Sequence, residues 1–315
     1  MIIDLPETTV SKVARALVST REEGGAVALG RVLTLVIATD SGREEDAIEA
    51  ANDASREHPM RVIVLLTDDD APAQLDAQIR VGGDAGASEV VVLRASGDAA
   101  SNEESLVTGL LLPDAPVVVW WPDDAPDDPS AAPLGRIAQR RITDASTGFR
   151  PAHLDVLGEV YEPGDTDLAW TRLTRWREQL AAVLDQPPYE PVTEVEVMGA
   201  SSSPSTALLA AWLRSSLDVP VRWRWMPAEE WSEGIKSVRL TRASGDILLE
   251  RSNPEIACLT QPGQPAHDLV LPRRTLRECL AEELRRLDPD LLYGRVIREG
   301  WHLLDAPESG EPHVV

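Results

Sequence analysis

Val32-Leu-Thr-Leu-Val-Ile-Ala38, Thr39-Asp-Ser-Gly42 and Arg61-Val-Ile-Val-Leu-Leu66 are the stretches that decide how this chain folds. The first and last are continuous apolar runs rich in β-branched residues, the pattern of strands buried on both faces. Between them the Thr39 to Gly42 stretch reads as a turn, with Asp40 or Ser41 available to cap a helix. Glu44, Glu45 and Asp46 then place negative charge in the first helical turn, where the macrodipole favours it. Ala47, Ile48, Ala50, Ala51 and Ala54 give that helix a narrow apolar face, and His58-Pro59 stops it. Strand, helix and strand at this spacing predict a parallel pair joined by a right-handed crossover.

Working outward, residues 78–81 and 89–94 flank the glycine-rich stretch Gly82-Gly-Asp-Ala-Gly86 and read as a hairpin. Residues 103–112 read as a helix, 116–121 as a buried strand and 123–129 as a solvated acidic loop. Residues 134–141 read as a further helix, with Ile142-Thr143 entering a last strand. A second strand–turn–helix–strand unit opens at 193–198. Its helix has Ser203 as N-cap and Pro204 at the first helical position, with Leu208, Leu209, Trp212 and Leu213 as the buried stripe. Val221, Trp223 and Trp225 alternate with Arg222 and Arg224 on the return strand. Strands at 237–241, 247–251 and 256–260 follow. Leu276, Leu280, Leu284 and Leu287 mark a late helix with Cys279 on the same face, and Asp288-Pro289 caps a final helix through Arg298. The expected class is α/β, in two lobes, each with a βαβ-containing mixed sheet flanked by helices. The expected boundaries are an acidic N-terminal domain over 1–165, a Trp/Arg-rich helical connector and linker over 166–191, and a C-terminal domain over 192–315. Residues 186–191, Gln-Pro-Pro-Tyr-Glu-Pro, form the seam.

The 315 residues are 43% hydrophobic and 26% charged, an ordinary globular composition. The formal net charge of −23 argues against a nucleic-acid backbone or an anionic membrane surface as partner. Residues 1–165 carry 13 basic and 30 acidic side chains, the remainder 17 and 23, so the first lobe holds most of the acidity. No apolar run reaches membrane-spanning length, and the first twenty residues fit neither a signal nor a transit peptide. Two cysteines, Cys258 and Cys279, are too few for a disulfide framework and fit a cytoplasmic location. There is no Gly-x-Ser-x-Gly elbow, and the five histidines (His58, His153, His267, His302 and His313) are scattered. Neither a P-loop lysine nor a Gly-x-Gly-x-x-Gly fingerprint occurs. The expectation is a protein with no catalytic residues, metal or cofactor.

Two segments stand out. Ser201, Ser202, Ser203, Ser205 and Thr206 lie between a strand and a helix N-terminus, where backbone N–H groups are available to an anion such as a sugar phosphate. Simple capping by Ser203 accounts for the same residues. A sugar-phosphate-binding sensor, or an enzyme using this turn, is the corresponding alternative function. Nine tryptophans accompany a single phenylalanine, Phe149. Trp120 or Trp121 fills core within its strand. Trp170 and Trp176 instead interleave with Arg172, Arg175 and Arg177 over 167–178, as docking anchors would. A core helix, with Leu168, Leu173, Leu180 and Leu184 as its stripe, explains that segment equally.

Asp165-Thr-Asp-Leu-Ala-Trp-Thr-Arg-Leu-Thr-Arg-Trp-Arg177 resembles the OpcA family of glucose-6-phosphate dehydrogenase assembly proteins. Met1-Ile-Ile-Asp-Leu-Pro6, Arg21-Glu-Glu-Gly-Gly25 and Gly30-Arg-Val-Leu-Thr-Leu-Val-Ile37 carry the same resemblance. It implies a non-catalytic protein that binds glucose-6-phosphate dehydrogenase and promotes its active oligomer, in the oxidative pentose phosphate route that supplies NADPH. On that view Asp167, Trp170, Arg172, Trp176 and Arg177 are the partner-binding candidates. Many family members carry Pro where this chain has Arg175, which would mark a helix start with Thr174 as N-cap and divide the segment into two helices.

Overall fold

The computed structural model describes residues 1–23, 31–40, 42–81 and 89–307. Strand β1 (Ile2–Leu5) and helix α1 (Val10–Glu23) precede β2 (Leu33–Ala38), which the first apolar run forms. Helix α2 (Glu44–Ala54) leads to β3 (Met60–Asp68), followed by β4 (Gln74–Val81), β5 (Glu89–Ser96) and α3 (Glu103–Thr108). Next come β6 (Val117–Trp120), α4 (Pro133–Arg136), β7 (Arg140–Thr143) and α5 (Pro151–Val160). The chain then forms β8 (Asp165–Asp167), α6 (Leu168–Thr171), α7 (Thr174–Leu184), β9 (Glu194–Ala200) and α8 (Pro204–Leu217). Five strands follow: β10 (Val221–Met226), β11 (Ile235–Thr241), β12 (Ile247–Arg251), β13 (Ile256–Thr260) and β14 (His267–Val270). Helices α9 (Leu276–Arg285) and α10 (Leu291–Arg295) come last, with a π-helical turn over Val296–Gly300.

Contacts divide the chain into two discontinuous units. The first holds Met1–Asp144, Gly164–Thr166 and Leu276–Pro289; the second holds Ala145–Pro163, Asp167–Thr275 and the chain from Asp290. Cuts at 165 and 191 are therefore replaced by an interleaved arrangement. The physical reason is burial: α6 and α7 bury Trp170, Leu173, Trp176 and Leu180 in the second unit's core, so they are not a connector. Helix α9 buries Cys279, Leu280 and Leu284 and packs on α2 of the first unit.

The first unit carries an eight-stranded sheet in the order β1-β4-β5-β3-β2-β6-β7-β8. Strands β5, β3, β2, β6 and β7 are mutually parallel; β4 runs antiparallel to β5, and the edge strand β1 runs antiparallel to β4. Leu35 lies opposite Val62 and Val118, so the apolar runs stack into one dry layer. Within it Arg61 and Glu89, register partners on β3 and β5, form a buried ion pair at 2.6 Å.

Several expectations change here. The helix read over 134–141 ends at Arg136, because Arg140 and Arg141 extend as β7 and pair with the buried carboxylates of Glu283 and Asp165. The helix read to 112 stops at Thr108, before Gly109. Helix α2 has no side-chain cap from Asp40; Arg43 occupies the N-cap position, and the Glu44 carboxylate accepts from the Gly42 N–H at 2.6 Å. Ser41 and the 82–86 stretch lie outside the described residues. The acidic 123–129 loop keeps Asp124 and Asp127 exposed, as expected, but is tied down at its start: Asp123 accepts from Thr39 Oγ1 at 2.7 Å and pairs with Arg43 at 2.5 Å.

The second unit's sheet runs β10-β9-β11-β12-β13-β14. Strands β9 and β10 are parallel across α8, and the remaining neighbours are antiparallel. Val221, Trp223 and Trp225 face inward as their alternation predicts, against Leu208, Leu209 and Leu213 of α8 in the same core. The last helix is capped by Asp290, which accepts from the N–H groups of Leu292 and Tyr293, and not by Asp288-Pro289. It ends at Arg295 and passes into the π-helical turn.

Candidate functional site

The Trp/Arg segment is two helices. Asp167, fully buried, ends β8 in an extended conformation and caps α6, accepting from the Ala169 N–H at 2.7 Å and the Ala145 N–H at 2.9 Å. Leu173, not Thr174, occupies the cap position of α7, in helical conformation, which lets the chain turn between the two helices without a proline. Trp170 is buried; its Nε1 donates to Asp290 at 2.8 Å, and the Arg177 guanidinium stacks 3.8 Å above its ring. Trp176 is buried as well, with the Arg251 guanidinium 5.3 Å from its ring centre. Arg172 donates to Ser146 Oγ at 2.8 Å and stays half-buried, as does Arg177. Asp167, Trp170 and Trp176 are therefore core residues of the second unit, and the two buried rings are not presented to a partner as docking anchors would be.

The serine turn sits close to this segment. Ser201, Ser203, Ser205 and Thr206 are buried and Ser202 is exposed. Ser203 stands at the N-cap of α8 as expected, but its side chain makes no capping bond. Ser205 Oγ instead donates to the Ala169 carbonyl at 2.8 Å, tying α8 to α6. Thr206 Oγ1 is enclosed without a partner among the described residues. It lies 2.2 Å from where a Cβ on Gly199 would be, so only glycine lets α8 sit this close to β9.

The two segments meet in one small cleft of the second unit, about 20 Å³, bounded by Arg172, Arg175, Trp176, Ser203, Arg251 and Arg273. Arg251 is 4% exposed, yet no carboxylate reaches it among the described residues. Its Nη2 donates to the Leu271 carbonyl at 2.7 Å, while Nε has no partner among those residues. Burial, and then the positive charge of Arg273, lower its pKa to about 10, so it is still charged at neutral pH. Arg273 is shared with Glu233 at 2.7 Å. Arg251 was not among the sequence candidates, although its signal was present. In Ile247-Leu-Leu-Glu-Arg251 the period-two alternation puts Arg251 on the same inward face as Ile247 and Leu249.

Two other concavities matter. In the second unit a cleft of about 460 Å³ is walled by Trp223, Trp225 and Trp301. Trp223 donates to the Asp305 carbonyl and Trp301 to Asp155, while Trp225 Nε1 is enclosed without a partner among the described residues. In the first unit a crevice of about 210 Å³ opens where the sheet order reverses, beyond the ends of β2 and β6, and includes Asp40, Glu103, Trp121 and Asp124. That is where open α/β sheets bind ligands. Here it is lined by carboxylates, and burial followed by the charge of Asp69 pushes the Glu103 carboxyl up. Among the described residues no group of His, Cys, Asp and Glu is arranged to hold a metal, and no helix is long and apolar enough to cross a membrane.

Residues 51–158 match a family described as the N-terminal domain of a glucose-6-phosphate dehydrogenase subunit. Residues 163–297 match the family described as the corresponding C-terminal domain. No curated protein matches. An oxidoreductase from Sinorhizobium meliloti is similar at 10% identity and a TM-score of 0.46, over 84% of this chain and 86% of that one. A myo-inositol dehydrogenase from Lactobacillus casei, in complex with NAD(H) and myo-inositol, is similar at 9% identity and a TM-score of 0.43, over 87% and 93%. Likeness at this level carries no argument about activity.

Proposed function

Because the chain belongs to the OpcA family of glucose-6-phosphate dehydrogenase assembly proteins, we propose that it binds that dehydrogenase and favours its active oligomer. The observation that carries this reading is the match of both family domains, together spanning most of the chain. Its role is then that of a non-catalytic allosteric activator in the oxidative pentose phosphate pathway, which supplies NADPH. A protein that binds only the assembled form of a partner stabilises that form by its differential affinity and needs no chemistry of its own. The carboxylates at the first unit's crevice support the non-catalytic reading. The pyrophosphate of a dinucleotide placed there would meet Asp40 and Asp124 instead of a glycine-rich turn.

Within this proposal Trp170, Trp176 and Asp167 hold the docking surface in shape from inside, and Arg172 and Arg177 are its nearest candidates for contact. The net charge of −23 suits a partner with a basic face, so association should weaken as salt rises. A cytoplasmic location belongs to the same proposal, supported by two cysteines that form no disulfide. The test is to mix the purified chain with purified dehydrogenase and follow molar mass by light scattering alongside dehydrogenase activity. The expected result is a heavier species and higher activity, with no glucose 6-phosphate oxidation by the chain alone with NADP. An unchanged dehydrogenase mass and rate would refute the assembly role, and turnover by the chain alone would refute the non-catalytic one.

A further inference from the structure

A guanidinium taken out of water without a counter-charge is costly, and buried arginines are ordinarily paired. The buried ion pairs of the first unit follow that rule: Arg61 has Glu89, and Arg140 has Glu283. Arg251 breaks it. It is 4% exposed, keeps one bond to a carbonyl, and has no carboxylate among the described residues. The cleft it lines is also bounded by Arg172, Arg175 and Arg273, a local concentration of positive charge in a chain of net charge −23. On the facing wall, Ser203 opens α8, a helix of 14 residues whose first turn presents the positive end of its dipole. The Ser203 side chain is not spent on capping, so its hydroxyl is available to a ligand. Gly234, with φ of +64°, borders the same cleft without a side chain. An alanine Cβ there would stand 3.6 Å from Arg251 Nη1.

We infer that this cleft is an anion site, in which a phosphate group, free or at the end of a small phosphate ester, supplies the counter-charge that Arg251 lacks. Arg251 is the buried charge that holds the anion, Arg273 a second and more exposed one, and Ser203 with the first turn of α8 the hydrogen-bonding wall. The cleft's volume of about 20 Å³ is little more than one water needs, so only the outer oxygens of the phosphate enter it, and the rest of the group or ester stays outside. Glu233, which pairs with Arg273, is the nearest competitor and sits on the exposed side. The site does not depend on the dehydrogenase partner proposed above.

The test is thermal melting of the full chain in millimolar potassium phosphate, against potassium chloride and potassium acetate at equal ionic strength. Phosphate should raise the melting temperature of the second unit by about 2–4 °C, and acetate should not. Glucose 6-phosphate as a second probe separates the sources: a larger shift than with phosphate assigns the site to an ester, an equal or smaller one to the free ion. Arg251→Met should abolish either shift while melting in chloride no lower than wild type, since it removes an unpaired buried charge. Should that variant not fold, Ser203→Asp decides. A carboxylate installed beside Arg251 should raise the melting temperature in chloride and eliminate the response to phosphate. The inference is overturned if phosphate gives no shift, if acetate shifts equally, or if the shift survives in either folded variant.

Discussion

Truncating Trp170 to alanine should destabilise the second unit and weaken docking only through that loss of core. Trp170 is 1% exposed, so its ring carries close to a full side chain of buried area. An area of roughly 150–250 Å² at about 25 cal/mol per Å² corresponds to about 4–6 kcal/mol, close to the ~3–5 kcal/mol usual for large aromatic-to-alanine changes. The Arg177 stack and the Nε1 bond to Asp290 go with it. Asp290 keeps its two bonds from Leu292 and Tyr293, so α10 remains capped. At about 2–4 °C per kcal/mol for a body of this size, the melting temperature should fall by roughly 10–20 °C. Trp170→Phe isolates the polar part, since it retains most of the ring and loses only the bond to a charged acceptor, about 1.5–3 kcal/mol. Melting and dehydrogenase affinity must be measured on the same variant, with affinity taken well below its transition. A fall in both melting temperature and affinity is the expected pattern, because the Arg177 side chain loses the ring that holds it. A Trp170→Ala chain that melts like wild type but no longer binds would refute the core assignment and restore the tryptophan as an exposed anchor.

Thr206→Val replaces a buried hydroxyl that has no partner among the described residues with a methyl of similar size, and should raise stability by about 1 kcal/mol in denaturant titration. Gly199→Ala should lower it by ~1–3 kcal/mol or more, because the new Cβ would meet Thr206 Oγ1 at 2.2 Å and the Gly234 carbonyl at 2.7 Å. Limited proteolysis should nick residues 186–191, which are largely exposed, and spare the 123–129 loop that Thr39 and Arg43 hold through Asp123. The Glu103 carboxyl titrates above its ordinary range because of burial and then Asp69, so its ionisation costs stability as pH rises above the unfolded value. Glu103→Gln should therefore melt higher than wild type at pH 7, with the advantage vanishing as pH falls below the ordinary carboxylate range.

Where the chain obeys a short period, the sequence was legible. The runs at 32–38, 61–66 and 116–121 became parallel neighbours, and the Val221, Trp223, Trp225 alternation gave the inward face of β10. Long-range charge pairing was not legible, because a local window cannot see a partner far along the chain. Arg140 and Arg141 ended a helical pattern because Glu283 and Asp165 were waiting for them. The candidate site divides in the same way. The serine turn and the Trp/Arg segment were each identified, but their meeting at one cleft depends on α6 lying against α8, where Ser205 reaches the Ala169 carbonyl. Ring type alone could not separate docking from core for Trp170; the acceptor that settles it, Asp290, lies 120 residues away.

Helix α9 packs on α2 within the first unit although it follows every strand of the second. During synthesis this imposes an order. Helix α2 emerges early, but the helix packed on it leaves the ribosome only after residue 285. Until then the nascent first unit has an uncovered apolar face and lacks the Glu283 carboxylate that neutralises Arg140. A chain ending at Thr275 would keep that exposed state permanently, and should bind a hydrophobic dye and aggregate where the full chain does neither. The first unit is in this sense waiting for α9, which makes synthesis past residue 285 a folding step and that helix its latch.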